Sequence, residues 1–217
     1  MHKKYSLLGV LGGTFDPIHN GHIAIADHIL QTCCMERMEF IPCNQSPHRE
    51  QPIASPLHRF LMTQLATHHH PAFHVNAIEI TRGGISYTVD TVKALSNDYP
   101  EHAICLLMGA DAFSKFHLWH EWKTILDYAH IIVISREHVL PNEAVLTALL
   151  QARQVTDKNQ LQLQRAGFIY CETIPPIAIS ATRIRKEIEK GVVDIVGLSS
   201  EVCAYINNNQ LYEGSRR

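Results

Sequence analysis

Short apolar runs recur along this chain, and helical patterns separate most of them. Runs of this length that are apolar on both sides are typical of strands buried on both faces, as in parallel sheets covered by helices. Their order therefore predicts an α/β fold, a Rossmann-like, doubly wound parallel sheet with helices on both faces. The predicted strands are residues 5–11, 38–41, 73–78, 103–108, 131–134 and 168–171.

The first predicted helix begins at Asn20, a residue type that caps helices well. Ile23, Ala26 and Leu30 then recur at helical spacing and predict one buried face. The remaining predicted helices are residues 56–67, 88–97, 122–128, 142–154, 180–190 and 199–207.

The chain has 217 residues and 46% hydrophobic content, which is enough to bury a core without disulfides or a structural metal. Since no internal repeat or long linker divides it, we expect a single domain over residues 1–217. The formal net charge of -2 gives no global field that would attract nucleic acid or an anionic membrane. Any anion must therefore bind locally.

The six cysteines show no C-x-x-C spacing, and the N-terminus lacks the apolar stretch of a signal peptide. No apolar run approaches the roughly 20 residues that cross a bilayer. These features predict reduced thiols and a cytoplasmic protein. Three consecutive histidines, residues 68–70, could suggest a metal site, but three such positions cannot all face one ion on a regular element. We therefore predict that the chain itself holds no metal.

A glycine-rich string, residues 12–22, follows the first predicted strand and runs into the first helix. Gly12 and Gly13 permit close approach of a ligand, and a helix N-terminus favours a phosphate. Neither the Walker pattern nor G-x-G-x-x-G is present. The string instead contains H-x-G-H, whose His19 and His22 could both donate to one phosphoryl group. The alternative is that they are ordinary polar residues of a loop.

The string resembles the signature of the HxGH nucleotidyltransferase superfamily, in which the histidines contact ATP phosphates. That superfamily also includes phosphopantetheine adenylyltransferases and cytidylyltransferases. The loop alone therefore leaves the acceptor substrate open.

A second basic segment lies near the other end, where Ser180 is a predicted N-cap and Arg183, Arg185 and Lys186 fall in the first two helical turns. Cations are unfavourable at the N-terminus of a helix because the helix dipole is positive there. A bound anion would compensate for the positive charges of these side chains. The alternative is a solvated face in which these cations pair with following glutamates. The segment resembles the superfamily motif I-S-[ST]-T-x-x-R, with Ala181 as a departure. The resemblance implies that Ser180, Thr182 and Arg185 hold ATP phosphates.

Two middle segments bear on the acceptor: S-Y-T-x-D-T, at residues 86–91, and Gly109-Ala110-Asp111, which leads on to Trp119. We expect both to follow strands, where open parallel sheets bind ligands. Trp119 could stack on a pyridine ring, and groups around Tyr87 and Thr88 could receive a carboxylate. Of Trp119 and Trp122, one is expected to belong to the core.

Both segments resemble the nicotinate-nucleotide adenylyltransferases. Residues 42–49 also resemble that family's P-x-x-x-P-P-H-[KR] loop, with Ser46 in place of the first proline of the pair. The resemblance extends over nearly the whole chain. It implies three catalytic residues, His19, His22 and Arg185. It implies ATP contacts at Gly12, Gly13, Thr14, Phe15, His19, His22, His48, Arg49, Gly109, Asp111, Arg136, Ile179, Ser180, Thr182 and Arg185. It implies nicotinate mononucleotide contacts at Asp16, Asn44, Tyr87, Thr88 and Trp119.

The reaction implied by this resemblance moves AMP from ATP to nicotinate mononucleotide in NAD biosynthesis. An ionised phosphate attacks without a general base, so alignment and charge neutralisation would carry catalysis. Mg²⁺ is expected to arrive on the ATP phosphates, with Asp16 and Asp111 helping only indirectly. The alternatives are a phosphopantetheine adenylyltransferase and a non-catalytic nucleotide-binding module. The expected partners are these small molecules, not nucleic acid or membrane, and the oligomeric state, homo-oligomers included, stays open.

Overall fold

The strands and helices alternate along the chain in this computed structural model, which describes residues 4–47, 51–135 and 143–214. The strands are β1 Ser6–Gly13, β2 Arg37–Pro42, β3 Phe73–Val75, β4 His102–Gly109, β5 His130–Ser135, β6 Gln154–Val155 and β7 Ile169–Thr173. The α-helices are α1 Asn20–Thr32, α2 Pro56–Thr67, α3 Ile78–Arg82, α4 Thr88–Asp98, α5 Ala110–Phe113, α6 Trp122–Tyr128, α7 Ala144–Arg153, α8 Ala181–Glu189 and α9 Ser200–Asn208. Two 3-10 helices cover Phe116–Leu118 and Lys158–Gln162.

The strands form a seven-stranded sheet in the order β3-β2-β1-β4-β5-β7-β6. β1 runs parallel to β4, with Ser6 opposite His102 and Leu11 opposite Leu107. β4 with β5, β5 with β7, and β6 with β7 are also parallel pairs. The predicted Rossmann-like α/β fold is therefore confirmed. The strand order reverses between β1 and β4, the kind of position at which open α/β sheets bind ligands.

The two central strands are buried along most of their length because their side chains are apolar on both faces. In β1 the buried residues run from Leu7 to Leu11, and in β4 from Ala103 to Met108. Gly12 and Gly109 come at the carboxyl ends of these neighbouring strands. The glycines thus come where the chain leaves the sheet.

Two compact units can be distinguished by their internal contacts. The first unit consists of residues 1–12, 29–39 and 87–176. The second consists of residues 13–28, 40–86 and 177–217, so it brings an early loop and the last helices of the chain into one body. The expectation of a single domain stays a prediction.

Three sequence expectations about elements were wrong in detail. The strand predicted over residues 73–78 ends at Val75, because Asn76 makes a turn in which its Oδ1 accepts the N–H of Ile78 at 3.0 Å. The stretch that contains Tyr87 consequently follows helix α3 and not a strand. In α1 the side chains of Ala26 and Ile29 are fully buried, whereas Ile23 and Leu30 are half-buried.

The predicted helices fall within two residues of the observed ones, and the predicted helix start at Asn142 lies outside the described residues. The short helices α3 and α5 were not predicted. All six cysteines are free thiols. Within the described parts of the chain, we find no helix that has both the length and the apolar character needed to cross a membrane.

Candidate active site

The loop after β1 is held in a defined conformation. The carbonyl of Gly13 accepts the N–H of Cys43 at 2.9 Å, and the Asp16–Pro17 peptide is cis. Phe15 adopts a left-handed φ of 49° while its side chain is 3% exposed. Its ring lies edge-on to His22, with the centroids 5.1 Å apart. A buried aromatic side chain thus supports the histidine from one side.

His19 and His22 stack on each other at the start of α1, with ring centroids 3.8 Å apart and an interplanar angle of 22°. The backbone N–H of His19 donates to Nδ1 of His22 at 3.2 Å. Because Nδ1 accepts this bond, a neutral His22 ring carries its proton on Nε2. The two rings are therefore brought together and one tautomer is selected. That they share one anion stays a prediction.

His19 is 9% exposed, and this burial lowers its pKa from 6.5 to about 4, against the opposing effect of its backbone hydrogen bond. Its Nδ1 atom has no hydrogen-bond partner among residues 4–47, 51–135 and 143–214. A Cβ at position 21 would lie 3.0 Å from that atom, so Gly21 leaves the space that the ring occupies. His19 is thus a neutral ring at pH 7.

The carboxylate of Asp16 binds three donors from two distant parts of the second unit. Its Oδ2 accepts the N–H of Ile53 at 2.9 Å, and its Oδ1 accepts the N–H of Ala54 at 3.1 Å and the hydroxyl of Tyr212 at 2.8 Å. The residue is 7% exposed. This geometry favours a role in positioning the loop, and the contact with nicotinate mononucleotide stays a prediction.

Arg185 contacts the same loop from helix α8. Its Nη1 donates to the carbonyl of Asp16 at 2.6 Å and lies 4.0 Å from the Asp16 carboxylate. The Arg185 side chain is 24% exposed, so part of it remains accessible to solvent. The front of the chain and its end therefore meet at this loop.

The start of α8 matches the sequence expectation only in part. Ser180 is the N-cap, and its Oγ accepts the N–H of Arg183 at 3.3 Å. Arg183, however, is 72% exposed and donates to Glu187 at 3.0 Å, as the alternative of a solvated face expects. Of the cations in these turns, Arg185 is the one seen to contact the loop.

A neighbouring segment packs against both α8 and α1. The carbonyl of Gly197 accepts the N–H of Asn20 at 2.8 Å, which places this segment at the first turn of α1. A Cβ on Gly197 would lie 2.9 Å from the side chain of Ile179, the residue that precedes the Ser180 cap. Thr182 is exposed on α8. The first turn of α1 and the residue before the Ser180 cap therefore both lie against Gly197.

Arg59, which the sequence reasoning missed, holds three pieces of backbone together from α2. Its side chain is fully buried and donates to the carbonyls of Thr14 at 2.7 Å, Asn44 at 3.0 Å and Ala54 at 3.2 Å. A signal was present in the sequence, because Arg59 stands on the same helical face as the buried Met62 and Thr63. A cation on an apolar face indicates a specific buried partner.

Asn44 is fixed to the segment before α4. Its backbone N–H donates to Oγ of Ser86 at 2.9 Å, and its side-chain amide donates to the carbonyl of Gly84 at 2.8 Å. Gly84 takes a left-handed φ of 66°, which few other residues adopt. His48 and Arg49, the other residues predicted in this loop, lie outside the described residues.

In the first unit, Gly109 ends β4 and Asp111 lies in the short helix α5. A Cβ on Gly109 would lie 2.8 Å from Oδ1 of Asp111, so glycine is what lets the carboxylate fold back over the strand end. Both were predicted ATP contacts, and the segment from Gly109 to Asp111 comes at the end of a strand as expected. Arg136, also predicted to contact ATP, lies outside the described residues.

Of the residues predicted to contact nicotinate mononucleotide, Tyr87, Thr88 and Trp119 are in the first unit, whereas Asp16 and Asn44 are in the second. The Tyr87 ring lies 4.4 Å from that of His120, and Thr88 begins α4. Trp119 and Trp122 both pack edge-on against Phe116, at 5.7 and 5.6 Å. Both tryptophans are half-buried, so the expectation that one of them belongs to the core was wrong. The partly exposed rings suit ligand contacts better than a closed core does.

Comparison with known proteins gives a consistent result at the level of sequence. A family model described as cytidylyltransferase-like matches residues 10–187. A probable nicotinate-nucleotide adenylyltransferase of Coxiella burnetii is 40% identical over 213 residues, which are 96% of this chain and 99% of the relative. One of Acidithiobacillus ferrooxidans is 39% identical over 210 residues, 95% of each chain.

Solved structures agree at the level of the fold. The nicotinic acid mononucleotide adenylyltransferase of Plasmodium falciparum complexed with NaAD has a TM-score of 0.72 to this chain at 18% identity, with 96% of this chain and 98% of that one covered. The same protein complexed with APC has a TM-score of 0.68 at the same identity and coverage. At such identity the likeness concerns the fold alone.

Proposed function

This chain belongs to the nicotinate-nucleotide adenylyltransferases of the cytidylyltransferase-like family, and we propose that it transfers AMP from ATP to nicotinate mononucleotide. The products are nicotinate adenine dinucleotide and pyrophosphate, as a step of NAD biosynthesis. The observation that carries the proposal is the stacked pair His19 and His22 at a loop that Arg185 also contacts. These groups supply several donors for one triphosphate.

The reaction is a displacement at the α-phosphorus of ATP. The 5′-phosphate of nicotinate mononucleotide forms the new P–O bond, and the bond to the β-phosphate oxygen breaks, with its electron pair leaving on pyrophosphate. A phosphate is already ionised at pH 7, so no side chain has to remove a proton. Alignment of the two substrates and stabilisation of the charge on the phosphoryl oxygens then carry the rate.

The protonation states of His19 and His22 suit the stabilisation of charge on the phosphoryl oxygens. The His22 tautomer set by the His19 N–H places a donor at Nε2. The burial-lowered pKa of His19 keeps that ring neutral, which avoids two positive charges in rings only 3.8 Å apart. Oriented neutral donors need little reorganisation when charge develops. Arg185 contributes the permanent positive charge, and the hydroxyl of Ser180 can donate while it accepts the Arg183 N–H.

We propose that Mg²⁺ comes with the triphosphate and neutralises part of its charge. The Asp16 carboxylate has three donors of its own, so it does not offer a ready ligand to an ion. Asp111 is exposed and can hold ion-bound waters at the end of β4. Mg²⁺ usually keeps several waters and takes substrate phosphates as ligands, which suits this set of residues.

We propose that the acceptor, nicotinate mononucleotide, binds its pyridine ring and carboxylate with residues of the first unit. Tyr87 and Thr88 provide hydroxyl and N–H groups at the start of α4, and half-buried Trp119 provides an aromatic face. A phosphopantetheine arm offers no ring for Trp119 to stack on. We further propose that the enzyme works in the cytoplasm, where six free thiols stay reduced.

An assay of pyrophosphate release from MgATP tests the proposal with three acceptors in separate reactions: nicotinate mononucleotide, nicotinamide mononucleotide and phosphopantetheine. We expect turnover to be highest with nicotinate mononucleotide. Turnover only with phosphopantetheine would replace the proposed acceptor. Binding of ATP without turnover for any acceptor would instead identify a nucleotide-binding module.

A further inference from the structure

A cluster of metal-ligating side chains lies outside the candidate active site, where the end of α2 meets the start of α9. His68 and His69 follow α2, and Glu201 lies in the first turn of α9. One ligand atom from each lies within 4.8 Å of the others. We propose that His68, His69 and Glu201 bind a divalent transition-metal ion of the zinc class.

The distance between two of the ligand atoms already suits one ion. Nε2 of His69 lies 3.3 Å from Oε1 of Glu201. Two ligand atoms bound at roughly 2.0–2.1 Å to the same tetrahedral ion lie about 3.3 Å apart. An ion can therefore enter between this pair with little movement of the helices.

His68 is oriented as a ligand by a hydrogen bond on its other nitrogen. Its Nδ1 lies 2.7 Å from the carbonyl of Leu65, so Nδ1 carries the proton. A neutral ring then has its lone pair on Nε2. Histidines that bind metals commonly donate their second nitrogen to a carbonyl in this way, which fixes both ring and tautomer.

Glu201 supplies a carboxylate whose two oxygens have different partners. The Ser200 hydroxyl donates to Oε2 at 3.0 Å, while Oε1 is the atom that faces His69. One oxygen is thus held in place and the other is directed to the proposed ion.

The sequence argument against a metal here assumed three adjacent ligands on one regular element. In the structure α2 ends at Thr67, and His68 is already its C-cap, so the chain is turning at this point. The third histidine is not needed, because Nε2 of His70 lies 3.0 Å from Asp27. Its place is taken by Glu201, 132 positions further along the chain from His69.

The ligand set determines which ions fit. Two imidazoles and one carboxylate suit Zn²⁺, Ni²⁺ or Cu²⁺, whereas Mg²⁺ prefers oxygen ligands alone. His68 and His69 are exposed, so a water can complete a fourth position. The bound ion would link the end of α2 to α9, beside the contact of 2.8 Å between His58 Nδ1 and the Tyr205 hydroxyl. We therefore expect a stabilising role and not a catalytic one.

The first test measures binding of ZnCl₂ by calorimetry to the untagged, full-length protein after removal of metals with EDTA. We expect wild-type protein to bind one ion per chain, and His69→Gln and Glu201→Gln each to weaken that site by about tenfold or more. Excess MgCl₂ should leave Zn²⁺ binding unchanged. The control variant is His74→Gln, which removes an exposed histidine of the same unit from β3.

A second readout separates binding at this cluster from binding at other histidines and from misfolding. Co²⁺ titrations should give the strong visible bands of tetrahedral coordination in wild type and His74→Gln, and not in His69→Gln or Glu201→Gln. Adenylyl transfer and circular dichroism should be the same in all four proteins. Equal Zn²⁺ affinity and equal Co²⁺ spectra in all four would overturn the proposal.

Discussion

The guanidinium of Arg185 donates to the backbone carbonyl of Asp16 at 2.6 Å, although the two residues are 169 positions apart in the chain. The contact joins helix α8 to the loop that precedes His19. It therefore sets the position of a permanent cation relative to the two imidazole rings. Whether that cation matters beyond its charge can be tested by substitution.

Arg185→Lys retains the positive charge but loses the planar fork of donors. One ammonium cannot hold the Asp16 carbonyl and also present further donors in a fixed plane. We expect turnover to fall by about tenfold or more, because hydrogen-bond donors that are already oriented stabilise the charge that develops in the transition state. Steady-state kinetics measure this, with Arg183→Lys as the control because Arg183 is 72% exposed. Equal loss in both variants would argue against a special role for Arg185.

His22→Ala removes a donor whose tautomer the backbone selects. We expect turnover to drop by about two orders of magnitude, as loss of one preorganised donor commonly does. His74→Ala, on an exposed position of β3, should retain wild-type turnover. Circular dichroism would show that both variants are folded. Near-normal turnover of folded His22→Ala would exclude this residue from the mechanism.

Trp119→Ala should raise the KM for nicotinate mononucleotide more than the KM for ATP, because stacking involves the pyridine ring and not the triphosphate. Trp122→Ala is a closely matched control, since both rings pack edge-on against Phe116 at nearly the same distance. The two KM values should change together in that control, if they change at all. If both variants raised the KM for nicotinate mononucleotide more than the KM for ATP, the cause would be lost packing against Phe116 and not lost stacking on the pyridine ring.

Arg59→Met should destabilise the protein strongly. The substitution leaves the carbonyls of Thr14, Asn44 and Ala54 without their buried donor. An unsatisfied buried group costs about 1–3 kcal/mol, and the Ala54 contact is buried while the other two are part-buried, so we expect a loss of about 2 kcal/mol or more in the free energy of unfolding. Urea denaturation measures it, and Arg183→Met should cost about 1 kcal/mol or less. A similarly small loss for Arg59→Met would contradict the assigned role.

Acid should destabilise the fold between about pH 6.5 and pH 4. Burial lowers the pKa of both His19 and His130 from 6.5 to about 4. The unfolded chain therefore binds more protons in this range, so stability is complete above pH 6.5 and is lost as the pH falls towards 4. His130 also accepts the N–H of Phe168 at 3.0 Å, a bond that protonation breaks. Each ring contributes up to about 3 kcal/mol.

Urea denaturation at several pH values checks this expectation. His19→Gln carries no titrating group at that position, so its stability should depend less steeply on pH between 6.5 and 4. His74→Gln, which removes an exposed ring, should show the wild-type dependence. An identical slope in all three proteins would mean that His19 does not titrate with a lowered pKa.

The sheet was predictable because each strand of its centre is an apolar run that helices separate. The strand predicted over residues 103–108 falls inside β4, and the one over 131–134 falls inside β5. Where the apolar pattern continued past a turn, as at Asn76, the strand was drawn too long. The hydrogen bond of the Asn76 side chain ended the strand, and the hydrophobic periodicity of the sequence does not reveal such a bond.

The candidate site was predictable where a motif is local and unpredictable where contacts are distant. His19 and His22 stand three positions apart, so their proximity could be anticipated from the helix start. The bond of Tyr212 to Asp16 spans 196 positions, and the contact of His69 with Glu201 spans 132. No periodicity or motif spacing in the sequence links the members of either pair, because they come together only when the chain folds.

The buried hydroxyl of Tyr212 ties the segment after α9 to the loop that carries the histidines. Tyr212 itself lies outside the helices and strands that the structure describes. Loss of its hydroxyl would therefore leave those elements in place, but it would take from Asp16 one of the three donors that hold it. Damage at this tyrosine would first reduce activity in a protein that still looks folded.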